Sequence, residues 1–178
     1  TKHLKSNLIE NHIRENEYVK EAEVYVDRER NLNIYLKPKK PLARIQDGNE
    51  SYYLSETWSR MPLSSHFSGR VIHITGRVQN LTNPISSVDS FIELELKTFL
   101  QFIERKEEWK FLIDQIHITP EGKFELYLAF SGVRIVLGYI RSNYESRMEK
   151  IIHFFKQVSY TKDLSEYREL DFQYSQQV

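Results

Sequence analysis

Over most of this chain the hydrophobic residues recur at every second position, and in only three stretches do they shift to a spacing of three and four. No other feature constrains the fold as tightly. A two-residue period buries one face of a strand, whereas a period near 3.6 buries one stripe of a helix. The first helical stretch, TKHLKSNLIENHIREN, places Leu4, Leu8, Ile9 and Ile13 on one side, with Thr1 positioned to cap it. The second carries Val88, Phe91, Ile92, Leu96, Phe99, Leu100 and Ile103, with Ser86 or Ser90 available as N-cap. The third carries Tyr144, Met148, Ile151, Ile152, Phe155 and Val158.

The strands fall between these helices. EAEVYVD and NLNIYLK alternate on either side of the polar DRERN, which reads as a hairpin packed on the first helix. The prolines of KPKKP interrupt pairing and mark a boundary. LARIQ and SYYLS flank DGNE, where Asp47-Gly48 is a turn signal. RVIHITG, IDQIHIT, KFELYLAF and VRIVLG follow, the last three as a meander. The stretch YRELDFQYSQQV closes the sequence, with Leu170, Phe172 and Tyr174 alternating against Glu169, Asp171, Gln173 and Ser175. The class expected is α+β: a helix plus β-hairpin over 1–46, then over 47–178 an antiparallel β-sheet domain packed against two helices and ending in an edge strand.

Charge and composition narrow the function. Lys plus Arg and Asp plus Glu are both 25, so the net charge is zero and the basic excess of a nucleic-acid binder is missing. There are no cysteines, so thiolate chemistry and disulfides are excluded. No stretch approaches the roughly 18 apolar residues of a membrane span. Thr1 opens directly into helical sequence with no initiator Met or signal-like start, which is expected of a piece of a longer protein.

The search for chemistry yields contact rather than catalysis. His3, His12, His66, His73, His117 and His153 form no HExxH and no close pair, so no metal or other cofactor is expected. Nucleophile-elbow, phosphate-loop and dinucleotide motifs are missing. Asp114 and Asp171 are read as carboxylates on the solvent side of strands, and Lys37, Lys39 and Lys40 as a solvated hinge. Eleven tyrosines are more than a core needs. Tyr52, Tyr53, Tyr139, Tyr144, Tyr160 and Tyr174 are therefore candidates for a binding surface.

Three phrases in order resemble the extracytoplasmic part of the FtsQ/DivIB family of bacterial cell-division proteins. In NEYVKEAEVYVDRERNLNIYLKPKKPLARI, Tyr18, Val19, Ala22 and Val24 match the step that leads into that family's POTRA hairpin. Pro41, Leu42 and Ala43 match the step that leaves it, although Glu17 stands where proline is common and Pro38-Lys39 replaces Glu-Arg. YYLSETWSRMPLSSHFSGRVIHITG is similar to the family's "Y-x-I-D-x-x-G-x-x-x-P" and following strand, with Ser55 for Asp and no glycine. Its wording is most similar to members from the Bacteroidetes. LDFQYSQQV resembles the closing "x-D-L-R-Y" strand through Leu170, Asp171, Phe172 and Tyr174, with Gln173 in place of the basic residue.

The resemblance implies a non-enzymatic divisome scaffold on the periplasmic side of the inner membrane, single-pass and at the septum. It implies partners of the FtsB and FtsL type, bound by strand addition at Leu170, Asp171, Phe172, Gln173, Tyr174, Ser175 and Gln176. It also implies that residues 1–46 are a POTRA unit without its first strand and helix, hence one with an exposed apolar sheet face. Another POTRA-bearing periplasmic protein or a peptide-binding module is the alternative reading. A cell-wall enzyme would require a carboxylate or histidine cluster in a cleft.

Overall fold

The computed structural model describes residues 5–65, 69–130, 132–141, 143–158 and 167–174. Thr1, His3, Leu4, His66, Tyr160, Ser175 and Gln176 lie outside them.

The chain begins with α1 (Ser6–Arg14), then β1 (Val19–Val26) and β2 (Leu32–Pro38), which form a two-stranded antiparallel sheet. The predicted turn closes it. Asp27 Oδ1 accepts from the N–H groups of Glu29 and Asn31 at 2.9 and 2.8 Å. Ala22 pairs with Leu36 and Val24 with Ile34, so all four share a face. Ala22 and Val24 are buried, but Leu32, Ile34 and Leu36 are each about half exposed. The shared face is thus buried at Ala22 and Val24 of β1 and half open along β2.

The remaining strands build one eight-stranded sheet. They are β3 (Pro41–Asp47), β4 (Glu50–Ser55), β5 (Arg60–Pro62), β6 (Ile72–Gly76), β7 (Ile113–Ile118), β8 (Phe124–Leu128), β9 (Arg134–Gly138) and β10 (Glu169–Asp171). Their order in space is β10-β9-β8-β7-β6-β3-β4-β5. Residues 41–46, grouped by the sequence reading with the hairpin, therefore lie wholly in this larger sheet.

The α+β class stands, but the sheet is mixed rather than antiparallel. β3 with β6, β6 with β7, and β9 with β10 run parallel. Two of these pairings follow from the helices between the strands. Helices α2 (Ser87–Arg105) and α3 (Glu107–Leu112) carry the chain from β6 to β7, and α4 (Tyr144–Val158) carries it from β9 to β10. A crossover of that length returns the next strand in the same direction. The expected meander of β7, β8 and β9 is antiparallel.

One face of the sheet is dry. Ile45, Leu54, Ile74, Ile116, Leu126 and Ile135 meet Leu96, Phe99, Ile103, Met148 and Ile151 of the helices in a single buried cluster. Phe99 packs edge-on against Phe124 and against Tyr144, each at 5.9 Å. Ser86 is the cap of α2, accepting from the Asp89 N–H at 3.1 Å. His73 and Asp114 are exposed on strands, as a polar outer position requires.

The turn between β4 and β5 keeps a glycine conformation without a glycine. Trp58 occupies the glycine position of the resembled pattern and has φ of 60°. A non-glycine residue there costs roughly 1–2 kcal/mol. The Trp58 indole N–H donates to Leu81 C=O at 3.2 Å, Lys97 lies over its ring at 5.6 Å, and the ring packs on the core. Ser55, in place of Asp, is buried and bonds Thr57 and Ser59 at 2.9 and 2.8 Å.

Candidate partner-binding edge

β10 is the outermost strand at its end of the large sheet, and it is short. The eight-residue alternation from Tyr167 to Tyr174 becomes three residues of ladder. Asp171 ends it: its Oδ1 accepts from the Gln173 N–H at 2.8 Å, an Asx turn that bends the chain out of the strand.

The ladder decides which backbone groups face outward. Arg134 N–H donates to Arg168 C=O at 3.1 Å, and Phe172 N–H donates to Val136 C=O at 2.9 Å. Even-numbered residues thus turn their polar groups toward β9. By the alternation of a parallel ladder, the N–H and C=O of Glu169 and Asp171 point away from the sheet. The edge therefore offers two donors and two acceptors.

Side chains on this segment divide by parity as well. Leu170 packs on the core, and Phe172 is buried, edge-on to Phe154 of α4 at 5.9 Å. Phe154 also meets Tyr167 and Phe155, so an aromatic group holds β10 to the helix. Glu169 and Asp171 are exposed. Arg134 of β9 bonds Glu169 and lies 3.4 Å from Glu125, and these acids hold its guanidinium above its ordinary pKa. Tyr174 is 61% exposed and is the largest open side chain of the segment. A groove of about 480 Å³ runs along α4, lined by Ser146, Glu149, Lys150, His153, Phe154 and Gln157.

Gln173 does not point outward. Its side chain lies over Gly138, whose φ is 77°, and a Cβ there would meet Gln173 Cγ at 2.9 Å. Its amide Nε2 donates to both Asp171 oxygens at 3.2 and 3.0 Å. Arg147 of α4 donates to Gln173 C=O at 3.5 Å and to Tyr139 C=O. Glu95 is buried in α2, with Arg141 Nε 3.6 Å from its Oε1 and the charge of Arg147 also acting on it. Burial pushes the Glu95 carboxyl up against the opposing charges of Arg141 and Arg147.

Sequence reasoning overlooked Arg147 and Gly138. A glycine closing a strand signals close backbone approach and could have been used. Nothing in the local pattern distinguishes Arg147, because its targets are carbonyls distant in sequence. Of the tyrosines singled out, Tyr52 and Tyr53 are core, Tyr144 is partly buried, and Tyr139 and Tyr174 are open.

A family model described as FtsQ/DivIB, C-terminal related, matches residues 40–178. The chain belongs to that family. The match starts where the strands change sheet, between β2 and β3. No curated protein sequence matches the chain. Membership places the FtsQ/DivIB-type chain in bacterial cell division, within a family of non-enzymatic scaffolds that act through protein contact at the septum, on the periplasmic side. Among the described residues no helix is long and apolar enough to cross a membrane.

Proposed function

We propose that this FtsQ/DivIB-family chain accepts a strand from an FtsB-type partner on the outer edge of β10, so that it holds FtsB and FtsL in the divisome. In the whole protein this part stands in the periplasm, anchored to the inner membrane by one preceding helix, and the hairpin unit is the remainder of a POTRA domain. The observation that supports the reading is the outward aim of the Glu169 and Asp171 backbone groups on the last strand of the sheet. Strand addition draws affinity from such groups and specificity from the side chains beside them. Leu170 and Phe172 fix the strand, Asp171 and Gln173 set where it ends, and Tyr174 offers an open ring and a hydroxyl. Ser175 and Gln176, beyond the described residues, continue the proposed contact.

Titrating a cognate FtsB peptide against wild type and Tyr174→Ala tests this, with circular dichroism as the folding control. The expected loss is about 2 kcal/mol, typical of an interface hot spot. Unchanged affinity in a folded variant removes Tyr174 from the site. A complex with the peptide placed away from β10 ends the proposal.

A further inference from the structure

The acceptor strand is too short to hold itself. Three residues on a sheet edge give few ladder bonds, and such ends fray first in native proteins. Gln173, immediately past the strand's anchor Phe172, is held on every side. Its N–H is taken by Asp171 Oδ1, its C=O by Arg147 Nη1, its side-chain amide by the Asp171 carboxylate, and its Cβ and Cγ rest on the bare backbone of Gly138. Arg147 reaches two carbonyls with one guanidinium, one on the exit of β9 (Tyr139) and one on the exit of β10 (Gln173). A planar fork spreads its donors over separate nitrogens and spans two such points, whereas an ammonium donates from one compact centre. Behind it sits the buried Glu95, whose charge favours the guanidinium that burial disfavours.

We infer that this clamp on Gln173 holds β10 ready to accept a strand, with Arg147 as its positioning residue; the inference rests on the strand-addition reading above. On this inference Arg147 acts on the acceptor strand rather than on the added chain. It sets the fraction of molecules whose edge is formed before binding, and apparent affinity scales with that fraction. Tying together the exits of β9 and β10 also fixes the point where an added strand must leave the edge.

Two readouts on the same fragment test it, using Arg147→Ala and Arg147→Lys. The first is amide exchange of Phe172 without any partner, and the second is titration with the FtsB peptide. Losing a charge-assisted hydrogen bond should speed Phe172 exchange and weaken the peptide each by on the order of tenfold in Arg147→Ala. Arg147→Lys should fall between, since its ammonium can serve one carbonyl, and it supplies the comparison if the alanine variant does not fold. Amides of β7 and β8 should exchange as in wild type. Phe172 exchange unchanged in both variants overturns the clamp. Acceleration spread evenly over the whole sheet also overturns it, because Arg147 is then only structural. Faster Phe172 exchange with unchanged peptide affinity overturns the link between the clamp and binding, while the strand-addition reading stands on the peptide's binding to wild type. A peptide that fails to bind even wild type removes that reading alone, and the exchange data still decide the clamp.

Discussion

The two sheets of this molecule finish their edges in opposite ways. In the small sheet, α1 closes the outer side of β1. Val24 N–H donates to Glu10 Oε1 at 2.9 Å, and Arg14 Nη2 donates to Ala22 C=O at 2.8 Å. Helix side chains thus occupy backbone groups that would otherwise invite another strand. On β10 no such cover lies over Glu169 and Asp171 among the described residues. The faces show the reverse relation. The small sheet leaves Leu32, Ile34 and Leu36 half exposed, while the large one buries its inner face completely under α2 and α4. Alternation is equally clean in both, so the period of a strand does not decide what covers it.

That contrast can be broken most forcefully in the core. Phe99→Ala should cost about 3–5 kcal/mol, the usual loss for a buried phenylalanine. Leu36→Ser should stay within about 0.5 kcal/mol, because half of that side chain already meets water. Denaturant unfolding of both variants checks the pair, and a loss above about 2 kcal/mol for Leu36→Ser would mean that the hairpin face is covered.

A smaller effect is expected at the guarded edge. Glu10→Ala removes a charged acceptor from the Val24 N–H and should cost about 1–2 kcal/mol in the hairpin unit. Amide exchange at Val24 should rise while β7 and β8 stay unchanged. Equal protection of Val24 in the variant would show that α1 does not guard this edge.

The least effect is expected from proton linkage at Glu95. Its folded pKa is raised by burial, so the folded state binds the proton more tightly than the unfolded chain does. Stability should then rise as pH falls through the folded value toward the unfolded one, and be lost as pH climbs back. Glu95→Gln should flatten that slope in thermal melts across the mildly acidic range. A slope that survives the substitution assigns the proton to another group.

These comparisons also mark where the sequence stopped being readable. Periods of two and 3.6 located the three long helices and nearly every strand, because local burial writes them directly. α3 was overlooked since Glu107–Leu112 is too short to establish a period. The parallel pairings were misjudged although the signal was present: a long helix between RVIHITG and IDQIHIT implies a crossover, not a hairpin. The closing strand was placed at an edge, but its length was overestimated. Alternation continues through Tyr174, whereas the Asp171 carboxylate halts the ladder by bonding Gln173. Such a stop depends on a side chain competing with backbone, which hydropathy does not record.

The long return through α4 has one more consequence. The free edge is furnished not by the meander but by a short strand laid against it from afar, so the lip of the sheet is acidic, with Glu169 and Asp171. Were β10 detached, the lip would pass to β9, where Arg134 and Val136 take their places. A three-residue segment therefore decides which side chains an approaching chain meets.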